Sequence, residues 1–300
     1  MLQDTPTRLL EQGEPVPEGW QPLVNLQLPD GTMSTARAEA ISKSPRTPAE
    51  IESHIRVNVK RPLPRLLGRA PMHGRTMVLC AYGPSLRETW RSAVAEQGDL
   101  WTVSGAHAFL LERGVEPAFH TDVDPRPHKA HFLDGPTDIR TRYYLPSRCS
   151  PETFARVEGK DVTLYHIKCK NEKEVIDVVE PGAFLVPSAI TAGLVALQLG
   201  LVLGYRKFLI YGMDGSADPR NTSLKHSGAH PNVTEGFESL VEIEGRGFAT
   251  NMLMLLAVDD FFAIATQWEP GTFEFRGDGM LPWIARVSLR QHTVESVNGS

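Results

Sequence analysis

Three hundred residues, 41% of them apolar, suffice for one large core or two small ones and argue against a disordered chain. The formal net charge of -5, from 31 Lys and Arg against 36 Asp and Glu with no long single-sign run, speaks against nucleic-acid binding by general electrostatics. Cys80, Cys149 and Cys169 are scattered and form no C-x-x-C pair, so they indicate neither a disulfide framework nor a zinc site, and a reducing compartment is the natural reading.

The N-terminal stretch "MLQDTPTRLLEQGEPVPEGW" carries acids and prolines where a secretory signal would need an uninterrupted apolar run, so a cytoplasmic protein is expected. Residues 1–74 hold ten of the 23 prolines and read as an extended arm with short helices wrapped on the main body. One helix in the arm is well marked. Thr47 offers an N-cap, Pro48 the first helical position and Glu50 a capping box, with Ile51, Ile55 and Val59 one turn apart as its docking stripe.

From residue 75 short apolar runs alternate with amphipathic stretches, which predicts a doubly wound, mostly parallel α/β sheet of Rossmann-like type spanning 75–290, with 291–300 as a tail. Strands are expected near 76–81, 100–104, 118–122, 141–145, 162–166 and 207–212, and helices near 85–97, 107–113, 126–132, 151–157 and 188–203. Pro181 to Tyr205 contains no charged residue and approaches membrane-spanning length. Pro187, Ser188, Thr191 and Gln198 interrupt it, and a strand follows at once, so it reads as a buried helix of an α/β core closed by Gly204. A C-terminal hairpin around Gly245 and Gly247 and a helix capped by Thr250 complete the expected fold.

Four constellations carry candidate chemistry. "LCAYGPSLRE" sets a strand against a Gly83-Pro84 turn and a helix start at Ser85, a place where free N–H groups and the helix dipole can meet a phosphate. Ser85 and Glu88 also fit an S-x-x-E capping box, which alone would account for the serine. In "FHTDVDP", Asp122 and Asp124 lie two apart at a strand end and point to one side, so they can hold Mg²⁺ or Mn²⁺ against a diphosphate, or Asp124 can cap the helix begun by Pro125. "LIYGMDGS" runs a strand out into Gly212, Met213 and Asp214 at the same carboxyl edge, where a turn alone could also account for the Gly and Asp. The polar loop after it holds His226 and His230 near Lys225, and one of these histidines is the candidate base. Trp101, Met252 and Met254 read as core.

The ordered segments "GPSL", "VEPAFHTDVDP", "ITAGLVALQLGLVLGYRKFLIYGMD" and "VEIEGRGFATNMLM" resemble the superfamily of 6-hydroxymethylpterin diphosphokinase-like proteins over roughly residues 55–285. Motility accessory factor glycosyltransferases share that superfamily, and bacterial monofunctional sialyltransferases look like distant relatives. The resemblance implies that Gly83, Pro84, Ser85, Gly193 and Asp214 line a nucleotide pocket, and that His226, in "KHS", is the base in preference to His230; Asp124 and Thr191 are further nucleotide-binding candidates. This chain departs from the sialyltransferases in carrying Tyr82 where they carry Asn, and Thr191-Ala192-Gly193 where they carry Thr-Ser-Gly, which points to a donor other than CMP-sialic acid. The expected activity is transfer of a sugar from a nucleotide-activated donor to an acceptor hydroxyl. The alternatives are Mg-dependent diphosphate transfer from ATP to a hydroxymethylated heterocycle, and noncatalytic nucleotide binding.

Overall fold

The computed structural model describes residues 46–134, 140–221, 223–228, 239–243 and 245–287, together with three strands ahead of them. Those strands, β1 (Leu9–Leu10), β2 (Pro22–Gln27) and β3 (Met33–Arg37), pair antiparallel in the order β1-β3-β2, where the sequence suggests short helices. α1 (Pro48–Asn58) starts at the expected capping box: Thr47 Oγ1 accepts from Glu50 N–H, and the Glu50 carboxylate accepts from Thr47 N–H. Its Ile51 and Ile55 are buried against Ile176.

The body follows the expected alternation. Outward from its first strand run β4 (Thr76–Cys80), α2 (Leu86–Ala95), β5 (Asp99–Val103), α3 (Ala106–Leu111) and β6 (Phe119–Thr121). A 3-10 helix (Pro127–Leu133) leads to β7 (Arg142–Pro146), α4 (Pro151–Arg156), β8 (Asp161–Lys168), α5 (Lys170–Val179) and β9 (Leu185–Pro187). The segment after β6 is 3-10 rather than α because Pro127 holds Arg126 extended (φ -78°, ψ 128°) and leaves only a short run before Asp134. α5 and β9 are absent from the sequence reading; the charged face of "KNEKE" and the three-residue length of β9 hide them.

The chain then returns through α6 (Ala192–Val202) to β10 (Lys207–Tyr211), which pairs with β4 on the side away from β5. The hairpin β11 (Ser239–Ile243) and β12 (Arg246–Thr250) turns at Gly245, as expected. α7 (Met252–Ala265) is capped by Asn251, whose Oδ1 accepts from Met254 N–H at 3.0 Å, and not by Thr250, whose hydroxyl instead donates to Gly215 O. β13 (Phe273–Phe275) adds a parallel strand outside β10, and residues 280–287 are helical.

The eight parallel strands lie in the order β13-β10-β4-β5-β6-β7-β8-β9. α2 and α3 pack on one face through Leu86, Ala93, Phe109 and Leu110, while α6 and α7 pack on the other. α6 is apolar all round because the sheet and α7 flank it, and its buried residues include Leu194, Leu197, Leu199 and Leu201. At eleven residues it is about 16 Å long, and among the described residues no helix is long and apolar enough to cross a membrane. Thr191 caps it, so the helix starts at 192 rather than 188, after the extended β9.

Ahead of β4, residues 64–66 lie along the first half of β8, with Leu164 N–H donating to Pro64 O at 2.9 Å and Leu66 N–H to Leu164 O at 3.0 Å. β9 covers only the second half, from His166 to Lys168. The buried interior between β5, β6 and β7 is polar: the Thr102 hydroxyl lies 3.2 Å from His107 Nδ1 and 3.1 Å from His120 Nδ1, and His107 Nε2 lies 3.1 Å from Tyr143 Oη.

Candidate functional site

Strand order reverses between β4 and β10: from β4 the chain builds outward to β9, then re-enters on β4's other side. In such sheets the helices on either side of the reversal diverge, and a crevice opens above the carboxyl ends of the two strands. A cavity of about 170 Å³ lies there, lined among others by Tyr82, Gly83, Thr191, Gly193, Asp214 and His226. Gly83, Thr191, Gly193, Asp214 and His226, singled out from the sequence, thus converge on one rim. His230 lies outside the described residues.

The turn after β4 is built by close approach of two chains. Gly83 N–H donates to Gly212 O at 2.7 Å, and a Cβ on residue 83 would stand 2.5 Å from that same carbonyl. Gly212 itself takes a positive φ of 65° to turn β10 away. Ser85 does not form the capping box: its side chain makes no cap hydrogen bond, and Glu88 pairs with Arg220 at 2.8 Å. The N-terminus of α2 is served from 129 residues away instead, where Ser85 N–H donates to Asp214 Oδ2 at 2.9 Å. The two anchoring N–H groups of this turn, at Gly83 and Ser85, are therefore occupied internally, and Asp214 fills the place at the helix terminus that the sequence reading offers to a phosphate.

Asp214 is 2% exposed, and burial pushes its carboxyl up to about 6 against the pull of Ser85. Ser85 Oγ and Asp214 Oδ1 are both buried without a well-formed hydrogen bond. Asp214 also ties down the C-terminal helix, its carbonyl accepting from Leu281 N–H at 2.9 Å.

Donors for an anion remain on the opposite wall. Thr191 Oγ1 accepts from Leu194 N–H at 3.4 Å, while Ala192 and Gly193, at the first two positions of α6, line the cavity with N–H groups that no helical carbonyl can reach. The Met213 side chain lies over Gly193; a Cβ there would meet its methyl at 2.7 Å.

The polar loop after β10 is tied down at several points. Arg220 bridges Asp218 and Glu88, Ala217 N–H donates to Ala249 O at 2.9 Å, and Ser227 N–H donates to Tyr82 O at 3.1 Å. This brings Lys225 and His226 to the cavity wall, where the imidazole stacks on the Tyr82 ring, centroids 5.5 Å apart and planes 18° apart.

Asp122 and Asp124 stand apart from that cavity wall. Asp122 Oδ1 accepts from the N–H groups of Val123 and Asp124, and burial, together with the Asp124 charge, pushes its carboxyl up to about 6. Asp124 is gripped by Arg126, with Nη2 2.6 Å from Oδ2, and Lys129 lies 4.0 Å away; Asp124 also accepts from Arg126 N–H rather than capping a helix at Pro125. A metal ion would have to displace that guanidinium, and among the described residues no group of three or more His, Cys, Asp or Glu could hold one. Both carboxylates are thus engaged within the turn, Asp122 by N–H groups and Asp124 by Arg126.

Sequence reasoning missed Tyr82 as a wall residue; Met213, read at the end of β10, lines the cavity, as does Met254, which also packs against the core as expected. Their positions at strand and helix ends above the reversal were the available signal.

The family model for 6-hydroxymethylpterin diphosphokinase MptE-like proteins matches residues 51–218. The chain belongs to this family. No curated protein matches. Among solved structures, the fold resembles the MAf glycosyltransferase from Magnetospirillum magneticum AMB-1, with a TM-score of 0.60 and 17% identity over 78% of this chain. The match spans 37% of that larger chain. The MptE-like chain thus has a Rossmann-like, glycosyltransferase-like fold.

Proposed function

We propose that this MptE-like protein transfers a sugar from a nucleotide-activated donor to an acceptor hydroxyl, with the donor seated above the β4–β10 reversal. The observation that carries this reading is the convergence on one crevice of the α6 N-terminus, Lys225 and His226. In the reaction, the acceptor oxygen bonds the anomeric carbon while the bond from that carbon to the phosphate oxygen breaks, its electron pair leaving with the nucleotide. His226 takes the acceptor's proton. The N–H groups of Ala192 and Gly193 and the ammonium of Lys225 meet the charge on the departing phosphate. The cavity, at about 170 Å³, is smaller than the roughly 300 Å³ at which small-molecule sites begin; the flexible Met213 is the wall that gives way.

The family's name favours a second reading, diphosphate transfer from ATP. That chemistry leans on metal charge neutralisation, and the Arg126 grip on Asp124 weighs against it.

Thermal-shift measurements with CMP, UDP, GDP and ATP, with and without Mg²⁺, separate the two: metal-independent stabilisation by CMP or a nucleoside diphosphate supports sugar transfer, and metal-dependent stabilisation by ATP supports the kinase. His226→Ala should abolish turnover and leave nucleotide affinity nearly intact; equal loss of both would remove it as base.

A further inference from the structure

The structure assigns Tyr82 as the positioning residue of His226, a role that rests on the sugar-transfer reading above and that no sequence motif marks. Contacts from the loop at 226–228, from Phe132 on the 3-10 helix and from Gly105 ahead of α3 carry the inference. The Tyr82 ring lies flat against the imidazole, with 5.5 Å between centroids and 18° between planes. Phe132 meets the same ring edge-on at 5.3 Å. The Tyr82 carbonyl accepts from both the N–H and the hydroxyl of Ser227, at 3.1 and 3.4 Å, which fixes the residue next to the histidine. Two glycines from separate loops clear the slot: a Cβ on Gly105 would stand 2.5 Å from Tyr82 Cζ, and one on Gly228 would stand 2.7 Å from Tyr82 Oη.

A base on a loop must hold its ring nitrogen within hydrogen-bond reach of the acceptor hydroxyl, and a side chain free to rotate spends most of its time elsewhere. Here the aromatic face removes that freedom by confining the imidazole to one plane. The electron-rich face also favours the imidazolium that forms when His226 takes the proton. Burial pushes the Tyr82 phenol up to about 12, so the ring stays neutral while it does this. The working part of Tyr82 is therefore its face, and phenylalanine should serve in its place.

The test reads the stack and the chemistry separately on the full chain. In NMR spectra the His226 ring protons, assigned by their loss in His226→Gln, should be shifted upfield by ring current in the parent and in Tyr82→Phe. They should return to ordinary positions in Tyr82→Leu and move in Gly228→Ala, which crowds the slot while keeping the ring. With the donor identified by nucleotide screening, Tyr82→Phe should retain kcat within about twofold, while Tyr82→Leu and Gly228→Ala lose about tenfold or more in kcat with KM within about twofold. Gly228→Ala carries the test if Tyr82→Leu fails to fold. An unshifted His226 signal in the parent, full kcat in both slot variants, or a Tyr82→Phe variant as slow as Tyr82→Leu would overturn the assignment. Full turnover by His226→Ala, when the His226 ring protons of the parent do show the upfield shift, would instead overturn the sugar-transfer reading on which it rests.

Discussion

Asp214→Asn isolates the carboxyl that joins β10 to α2. In the folded chain burial holds this carboxyl at about 6 against an ordinary 3.8. The folded protein therefore binds its proton more tightly than the unfolded chain does, and between pH 3.8 and 6 raising the pH destabilises the fold. Below pH 3.8 both states are protonated and the cost vanishes. Above pH 6 it levels off at about 3 kcal/mol, from 1.36 kcal/mol for each pH interval by which the folded carboxyl is displaced. Asparagine carries no charge at any pH, and its Oδ1 can still accept from Ser85 N–H. Equilibrium urea unfolding of parent and variant from pH 4 to 8 should show the variant gaining on the parent by roughly 2.4 kcal/mol as pH rises, since part of the cost is already present at pH 4, on top of any constant offset from the new amide. A difference that stays flat across that range would refute the reasoning, because it would mean that the carboxylate is as well solvated inside as outside.

Gly83→Ala places a methyl 2.5 Å from the Gly212 carbonyl, and since that neighbour is backbone, unfolding measurements should show a loss of roughly 1–3 kcal/mol together with weakened nucleotide binding. His120 gives the opposite pH slope to Asp214. Burial, then His107, holds it well below its ordinary 6.5, so the unfolded chain takes the proton first and stability is lost as pH falls below 6.5. His120→Asn, whose amide can still meet Thr102, should flatten acid unfolding in that range, and an unchanged slope would argue against a neutral buried imidazole. Treatment with EDTA should leave nucleotide binding unchanged by isothermal titration, because Asp124 is committed to Arg126; loss of binding on chelation would restore the carboxylate pair to the site.

The features readable from the sequence are those that neighbouring residues decide. Thr47 and Glu50 make their capping box within four residues, whereas the Thr191 cap of α6, equally local, is passed over in a reading that starts the helix at 188. The all-apolar run of α6 and the Gly83-Pro84 turn likewise announce a buried helix and a strand end without help from the rest of the chain. The misreadings arise where a distant partner outbids a near one. Ser85 and Glu88 fit a capping box by spacing, yet Asp214 takes the Ser85 N–H and Arg220 takes Glu88. Asp122 and Asp124 are the exception, taken up by near neighbours: the turn's own N–H groups occupy Asp122 and Arg126, two residues on, grips Asp124. The stack of Tyr82 on His226 joins residues 144 positions apart, and only the sheet's reversal brings them together.

The borders of the main sheet have a bearing on how the molecule behaves in a crowded solution. Both outermost strands, β9 and β13, are three residues long, β9 ends in Pro187, and residues 64–66 seal the part of β8 that β9 leaves bare. A neighbouring chain seeking to extend the sheet finds at most a few amides in a row at either border, too short a template for intermolecular β-pairing. Eight parallel strands can thus be kept from aggregating by the brevity of the last ones, with no added charge or covering helix required.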